Sequence, residues 1–217
     1  AAGPGVEPLV AALRTSARGG FVDAPSWLAP DRVWLLHGTK DEKVGAAVTD
    51  ALVRFYRAFI PPERIQYETP VPAAHGFQTD GQGGPCGIAQ TPWLNDCDFD
   101  AAGQILKYLY DALRAPSASL GGELREFDQE PYATGGMLTS MEDGGFVFVP
   151  KACAAGEPCR LHVAFHGCRQ GSEFVDRAFV RDAGYNRWAD ANRIVVLYPQ
   201  AAKSIVWPFN PQGCWDW

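Results

Sequence analysis

Two apolar segments in the first third of the chain each lead into a loop that carries a side chain suited to acid–base chemistry. Val33–Leu36 is a continuous apolar run of the buried-strand type, and the loop after it contains Asp41. The alternating segment Ile65–Glu68 predicts the next strand, and the loop beyond it contains His75. Apolar residues at helical spacing predict a helix over 45–59 between the two strands. This order predicts a parallel sheet whose loops meet at one edge.

An acid in one loop and an imidazole in the next, in this chain order, are how an α/β-hydrolase supplies two members of a Ser-His-Asp triad. We therefore interpret Asp41 as the triad acid and His75 as the general base. Each residue alone has an ordinary explanation, because aspartate favours turns and a loop histidine can simply bond to backbone. The pairing favours the catalytic interpretation. His37, at the end of the first predicted strand, is expected to pack or bond locally.

A third strand end lies in the second half of the chain. Leu161–Phe165 predicts a buried strand that runs into His166, Gly167 and Cys168. An HG pair at this point forms part of the oxyanion hole in α/β-hydrolases, so we assign the backbone N–H of Cys168 to that role. A simple strand-to-loop turn is the alternative. A cysteine hydrolase would need the Cys168 thiol to be free.

The other segments complete an α/β pattern. The sequence predicts a long loop over 76–97, a helix over 98–113, a hairpin strand at the sheet edge over 144–150, a helix over 173–191 and a strand over 194–199. We expect one domain, 1–217, made of an Asp/His half (1–115) and an oxyanion-strand half (116–217).

The nucleophile of such a triad is missing from the sequence. No G-x-S-x-G elbow occurs in the 217 residues. Ser16 comes closest, but Arg14 stands in place of the first glycine and no strand precedes it. Ser26 has the context of a helix N-cap, and the serines at 140, 172 and 204 have no elbow around them. The start of the chain, with neither an initiator Met nor a signal sequence, indicates processing or cutting from something longer.

Six cysteines predict three disulfides and a location outside the cytosol. Of 15 possible connectivities, nearest-neighbour pairing gives Cys86–Cys97, Cys153–Cys159 and Cys168–Cys214. The cysteine and histidine spacings do not favour zinc. If Cys214 is tied to Cys168, Trp215 lies next to the oxyanion loop, so we expect Trp215 to contact substrate, with Trp207 nearby. Clustered tryptophans, including Trp217, can equally belong to a core.

Composition excludes two classes of partner. The net charge of -6 argues against nucleic acid, and no apolar run approaches the ~18 residues of a membrane helix.

Six motifs in order resemble extracellular polyhydroxybutyrate (PHB) depolymerases over nearly the whole chain. They are Gly38-Thr39-Lys40-Asp41-Glu42-Lys43-Val44, Ala74-His75-Gly76-Phe77, Asn95-Asp96-Cys97-Asp98, Val163-Ala164-Phe165-His166-Gly167-Cys168, Tyr185-Asn186-Arg187-Trp188-Ala189 and Asn210-Pro211-Gln212-Gly213-Cys214-Trp215-Asp216-Trp217. The subgroup they resemble is circularly permuted, with the nucleophile serine first in the chain and the HG strand last. The resemblance implies Asp41 as triad acid, His75 as base, the Cys168 amide as oxyanion donor and Trp215 in the polymer-binding crevice.

The resemblance implies a secreted serine esterase, without a cofactor, that hydrolyses PHB-type polyesters. The serine would come from a companion peptide left by proteolytic nicking or from a further part of a longer protein; otherwise the chain is a serine-less relative that binds without cleaving. The alternatives are an esterase on other short-chain acyl or polymeric esters and a non-catalytic polymer- or carbohydrate-binding protein with a Trp-rich surface. A metal-dependent hydrolase would require the histidines at 37, 75, 162 and 166 to converge.

Overall fold

Helices and strands alternate along most of the chain. A computed structural model describes residues 3–133 and 139–215, so Trp217 lies outside the described residues. The α-helices of this part are α1 (Glu7–Arg18), α2 (Ala46–Arg57), α3 (Ala101–Tyr110), α4 (Lys151–Ala154), α5 (Ser172–Val175), α6 (Ala178–Asp182) and α7 (Tyr185–Asn192). The strands are β1 (Val33–Leu36), β2 (Ile65–Glu68), β3 (Phe77–Thr79), β4 (Gly84–Pro85), β5 (Leu94–Asp96), β6 (Glu123–Asp128), β7 (Gly144–Val149), β8 (Arg160–Val163) and β9 (Ile194–Tyr198). Single 3-10 turns span Pro25–Leu28, Pro62–Arg64 and Glu130–Tyr132.

The strands form three sheets in the described residues, where the sequence predicted one. β1 pairs with β2 in parallel, and β5 lies between β3 and β4 in an all-parallel sheet. The largest sheet has the order β6-β7-β9-β8, with β8 and β9 parallel and the other pairs antiparallel. The fold is therefore mixed α/β. β1 and β8 each have one edge without a hydrogen-bonded strand in the described part of the chain.

A core on one face of the largest sheet joins the two halves of the chain. Phe148 of β7 and Val196 of β9 are fully buried neighbours in register, as strand alternation requires. They share one cluster with Leu106 of α3 and Trp188 of α7, so helices from both halves cover the sheet. Full burial of each such side chain contributes roughly 1.5–3 kcal/mol.

Three predicted segments need correction. The loop over 76–97 contains the short strands β3, β4 and β5. The segment 144–150 is not at the sheet edge, because β7 lies between β6 and β9 and its phenylalanines are buried there. The helix over 173–191 is three helices, since Asp176 (φ 52°) and Gly184 (φ 96°) have positive φ angles that a right-handed helix does not contain.

The C-terminal end of α3 contacts the beginnings of both β1 and β8. Arg32, the residue before β1, donates to the carbonyl of Tyr108 (2.9 Å) and pairs with Asp111. The Tyr110 hydroxyl donates to the carbonyl of Leu161 in β8 (3.1 Å). These contacts place the first residues of β1 and β8, the two strands with an unpaired edge, against the same C-terminal end of α3.

The six cysteines form the three nearest-neighbour pairs, and these close chain segments of very different length. Cys168–Cys214 spans 46 residues, whereas Cys153–Cys159 spans 6. In the chain-entropy account, a cross-link that closes a longer loop restricts the unfolded chain more.

We expect alanine replacement of both Cys168 and Cys214 to cost about 1.5–2 kcal/mol more unfolding free energy than alanine replacement of Cys153 and Cys159. Urea unfolding of the two variants beside the wild type measures this difference. Equal losses would contradict the loop-length explanation.

Candidate active site

The loops after β1 and β2 run side by side and pass very close to each other. Backbone N–H groups of Thr39 and Lys40 donate to the carbonyls of Val71 (2.8 Å) and Ala73 (3.1 Å). Gly38 approaches so closely that a Cβ there would lie 2.2 Å from the Ala73 oxygen. Only glycine fits this approach, which brings the residues after both strands together.

Asp41 and His75 meet where these loops converge. The Asp41 Oδ2 atom lies 2.9 Å from Nδ1 of His75, while Oδ1 accepts the backbone N–H groups of Lys43 (2.8 Å) and Val44 (2.9 Å). The Asp41 side chain is 12% exposed and the His75 side chain 45% exposed. The carboxylate therefore holds one ring nitrogen, and no hydrogen bond to another described residue engages Nε2 of His75.

Opposing effects act on the acidity of Asp41. Burial raises the pKa of its carboxyl, but the Val44 N–H, His75 and the Lys43 N–H outweigh this and lower the pKa below its ordinary value. The carboxylate thus stays charged near neutral pH. In this form it holds the Nδ1–H tautomer and stabilises an imidazolium, as a triad acid does.

The predicted oxyanion loop lies on the same cavity as His75. The cavity has a volume of about 240 Å³, and its walls are formed by His75, Gly76, Phe77, Trp93, Phe165, Gly167, Cys168, Gln170 and Phe179. No hydrogen bond among the described residues uses the backbone N–H of Cys168 as donor. His75 and Cys168 therefore line one cavity, and the Cys168 N–H has no acceptor among the described residues.

The loop around His75 is held from several sides. Ala74, the preceding residue, donates to the carbonyl of Cys86 (2.8 Å) and accepts from the side-chain amide of Asn95 (2.8 Å). At Gly76, a Cβ would lie 2.8 Å from the Asn95 side chain. Cys86, whose carbonyl accepts the Ala74 N–H, follows β4 and is cross-linked by its disulfide to Cys97 at the end of β5.

The two predicted substrate tryptophans occupy different places. Trp215 packs against Phe165 (ring centroids 4.8 Å apart) and His166 (5.4 Å), so the Cys168–Cys214 disulfide does bring it beside the oxyanion loop. Its neighbour Phe165, not Trp215 itself, lines the cavity. Trp207 is 83% exposed in a loop closed by paired residues 204 and 210, outside the cavity wall.

The other histidines are separately engaged. His37 Nε2 contacts the Val44 carbonyl (3.0 Å), which matches the local bonding expected of it. His162 is buried beside Tyr110 and Tyr185, and burial lowers its pKa to about 4. Within the ranges 3–133 and 139–215, no group of three or more His, Cys, Asp or Glu side chains could hold a metal. The Cys168 sulfur is in a disulfide, so it is not a free nucleophile.

Sequence reasoning gave no role to three residues of the site. Trp93 forms part of the cavity wall, Asn95 fixes the backbone before His75, and Gln170 bonds to the oxyanion loop. Asn95 is fully buried in β5 and Gln170 is 5% exposed. The motif Asn95-Asp96-Cys97-Asp98 was the one available signal, and it pointed to Asn95 alone.

Comparisons with known proteins come from both sequence and structure. No protein-family model matches the chain. The chain is 39% identical over its full length to a poly(3-hydroxybutyrate) depolymerase of Delftia acidovorans, covering 43% of that protein. Over 88% of its length it is 35% identical to a polyhydroxybutyrate depolymerase of Talaromyces funiculosus, covering 59% of it. The chain thus spans about half the length of the curated relatives it matches.

Two solved structures share the fold. The crystal structure of PHB depolymerase from Penicillium funiculosum has a TM-score of 0.91 and 30% identity, over 99% of this chain and 70% of that one. A serine-to-alanine variant of PHB depolymerase, complexed with an R3HB trimer, has a TM-score of 0.92 and 31% identity over the same shares.

We expect Asp41→Asn to lower the free energy of unfolding by about 1–2 kcal/mol near pH 7, because a charged acceptor of three hydrogen bonds is lost. The folded pKa lies below the unfolded one, so the carboxylate stabilises the fold above its unfolded pKa. This contribution disappears as pH falls through the folded pKa. Urea unfolding at pH 7 and pH 3 should show a difference from wild type that shrinks with acid.

The exposed Asp23 provides a matched control, since it has no hydrogen bond to another described residue. Asp23→Asn should change stability little at either pH. A deficit in Asp41→Asn that is independent of pH would contradict the assignment of the effect to the carboxylate charge.

Proposed function

This chain belongs to the PHB depolymerase family, and from that premise we propose that it forms the acid–base and oxyanion part of a secreted serine esterase that hydrolyses hydroxyalkanoate polyesters. The observation that carries the proposal is the 2.9 Å Asp41–His75 contact beside a cavity that the Cys168 loop also lines. The fold and the names of the relatives support the same reaction class.

In the proposed mechanism, a serine hydroxyl attacks the ester carbonyl while Nε2 of His75 takes its proton. The Cys168 N–H donates to the oxyanion of the tetrahedral intermediate. The intermediate then collapses as the imidazolium protonates the leaving alkoxide, which leaves an acyl-enzyme. His75 next deprotonates a water molecule that attacks this ester, and the serine regains its proton as the acid product leaves. Asp41 keeps the imidazole oriented throughout.

The serine comes from a segment outside the 217 residues. The geometry of β1 and β8 supports a position for the serine segment between these two strands. Both strands begin at the C-terminal end of α3, and the loops that follow them lead to His75 on one side of the cavity and to Cys168 on the other. A strand inserted between them in the same direction would deliver its last residue between His75 and Cys168. In the circularly permuted order implied by the resemblance, this segment precedes the given chain.

A separate companion peptide has no support from the comparisons, because both curated relatives carry the further length within single chains. The proposal therefore places the serine on the same polypeptide. Three disulfides fit a secreted protein. None of the described helices has the length and apolarity to span a bilayer.

The polymer is the proposed substrate because one structural relative was solved with an R3HB trimer. Trp215 supports the cavity wall through Phe165. Trp207 belongs to an exposed apolar loop with Ile205, Val206 and Phe209, all at least two-thirds exposed. An apolar loop of this kind suits contact with a solid polyester surface.

We expect His75→Ala to lower turnover of the complete enzyme on a soluble short-chain ester by about 10²–10⁴-fold, since the general base is lost. Initial rates measured per titrated serine give this number. His162→Gln is the control, because His162 is buried away from the cavity and should lose thermal stability with little change in turnover. Normal turnover in His75→Ala would overturn the assignment of His75 as the general base, whereas a complete enzyme without ester turnover would favour a non-catalytic binder.

We expect Trp207→Ser to slow hydrolysis of PHB film by about tenfold, the equivalent of ~1.4 kcal/mol of surface binding, while soluble esters are cleaved normally. Film weight loss and soluble-ester rates are compared for the same preparation. Trp27→Ser is the control, because Trp27 is 75% exposed on a different segment. Equal effects of the two substitutions would show that the 204–210 loop has no special role.

A further inference from the structure

One buried glutamine bonds to both sides of the site. The Gln170 Oε1 atom accepts the backbone N–H of Gly167 (2.9 Å), next to the proposed oxyanion donor. Its Nε2 group donates to the carbonyl of Trp93 (2.9 Å), with a longer contact to that of Pro92 (3.4 Å). Gln170 is 5% exposed, so these bonds are shielded from water. Both ends of the side chain are therefore fixed.

The Trp93 carbonyl connects Gln170 to the imidazole loop. The same oxygen accepts the N–H of Phe77 (2.8 Å), two residues after His75. Gly76 also approaches this oxygen, since a Cβ there would lie 2.9 Å away. A single carbonyl oxygen is thus shared by the loop that carries His75 and by the side chain that bonds to the oxyanion loop.

The orientation of the Cys168 N–H is set by the peptide group that contains it. The Gly167 carbonyl of that group accepts from His166 Nδ1 (2.7 Å) and from the Gln170 backbone N–H (3.1 Å). Nδ1 carries the proton, because Nε2 of His166 accepts the N–H of Ala201 (3.1 Å). In a planar trans peptide the carbonyl and the following N–H point in opposite directions. Holding the carbonyl therefore aims the Cys168 N–H.

We propose that Gln170 is a positioning residue that sets the separation between the His75 imidazole and the Cys168 amide. The inference rests on the proposed esterase function and concerns a side chain that acts through Gly167 and Trp93. The transition state needs the amide within 2.7–3.1 Å of the oxyanion while the imidazole reaches the serine, so both must be correctly placed at once. A misplacement of about 1 Å can cost about 10²-fold in rate.

The test uses the full enzyme that contains the serine, with p-nitrophenyl butyrate as substrate. Gln170→Met keeps the side-chain length and removes both hydrogen bonds. We expect kcat per titrated serine to fall about 10- to 100-fold while KM stays within twofold, because ground-state binding does not use the oxyanion contact. The rate of inactivation by an organophosphonate, whose adduct resembles the tetrahedral intermediate, should fall in parallel.

A second variant distinguishes the hydrogen bond from Gln170 to Trp93, which crosses the site, from the hydrogen bond between Gln170 and Gly167 within the local turn. Gln170→Glu, when ionised, still accepts the Gly167 N–H but cannot donate to the Trp93 carbonyl. We expect it to lose kcat as well, and it carries the test if Gln170→Met does not fold. Wild-type kcat in Gln170→Glu would overturn the proposal, because only the local turn would then matter. Failure of both variants to fold would also overturn it, since Gln170 would then serve the fold.

The control is Asn192→Leu. The Asn192 side chain also bonds to backbone, with Arg114 (2.7 Å and 3.1 Å) and Trp188 (2.8 Å), but it is only partly buried and lies at the opposite end of the large sheet. It should lower the melting temperature without lowering kcat. An equal fall of kcat in Asn192→Leu would assign the Gln170 effect to general loss of stability.

If the wild type cleaves the soluble ester but leaves PHB film intact, the polymer proposal fails while the Gln170 comparison still stands.

Discussion

The site depends on one partly buried carboxylate that accepts three hydrogen bonds. Burial alone would favour protonation of Asp41, and a neutral acid would neither fix the tautomer of His75 nor stabilise its cation. The Val44 N–H, His75 and the Lys43 N–H together reverse this preference, so the negative charge is present before any substrate binds. The charge thus depends on the backbone of its own loop as well as on His75. The reactivity of the imidazole then follows from its single contact to that charge.

The same principle holds on the other side of the cavity, where backbone geometry again prepares a polar group for reaction. The Cys168 N–H has no acceptor among the described residues, and the carbonyl of the same peptide group accepts from His166 Nδ1 and the Gln170 N–H on the opposite side. The disulfide to Cys214 and the hydrogen bond from Arg169 N–H to the Gln212 carbonyl (2.7 Å) anchor this loop to the C-terminal segment. Ordering is therefore achieved before the reaction begins, and an electrostatic site of this kind needs little reorganisation.

The sequence predicted what local pattern determines. Short apolar runs gave the positions of β1, β8 and β9, and an alternating segment gave that of β2, all nearly to the residue, although β8 is largely exposed and not buried as predicted. Strand-to-loop order placed Asp41 beside His75. Nearest-neighbour spacing gave the disulfide pairs. These features depend on residues that are close together in the chain or at the ends of consecutive strands.

Non-local packing explains what the sequence could not supply. The interior position of β7 depends on its pairing with β9, which lies about fifty residues later in the chain. No feature of the segment 144–150 indicates that β9 is its partner strand. The breaks within the predicted helix over 173–191 lie at Asp176 and Gly184, which have positive φ angles. An aspartate in the sequence does not indicate a positive φ angle at its position. Gln170 looked like an ordinary loop residue because its partner Trp93 lies 77 residues earlier.

The exposed face of β8 connects the proposed entry of a serine-bearing strand to the stability of the fold. Leu161 and Val163 point to the outer face, and Phe165 continues that alternation; two of the three are more than half exposed. This strand ends at the proposed oxyanion amide and has an unpaired edge in the described residues. A serine-bearing strand entering beside β8 would form hydrogen bonds with that edge. Residues flanking this strand could also cover the exposed face of β8, and each large apolar side chain buried in this way would stabilise the fold by roughly 1.5–3 kcal/mol. Delivery of the proposed nucleophile and completion of the apolar face would then be one event, and this would couple the stability of the sheet to the assembly of the proposed triad.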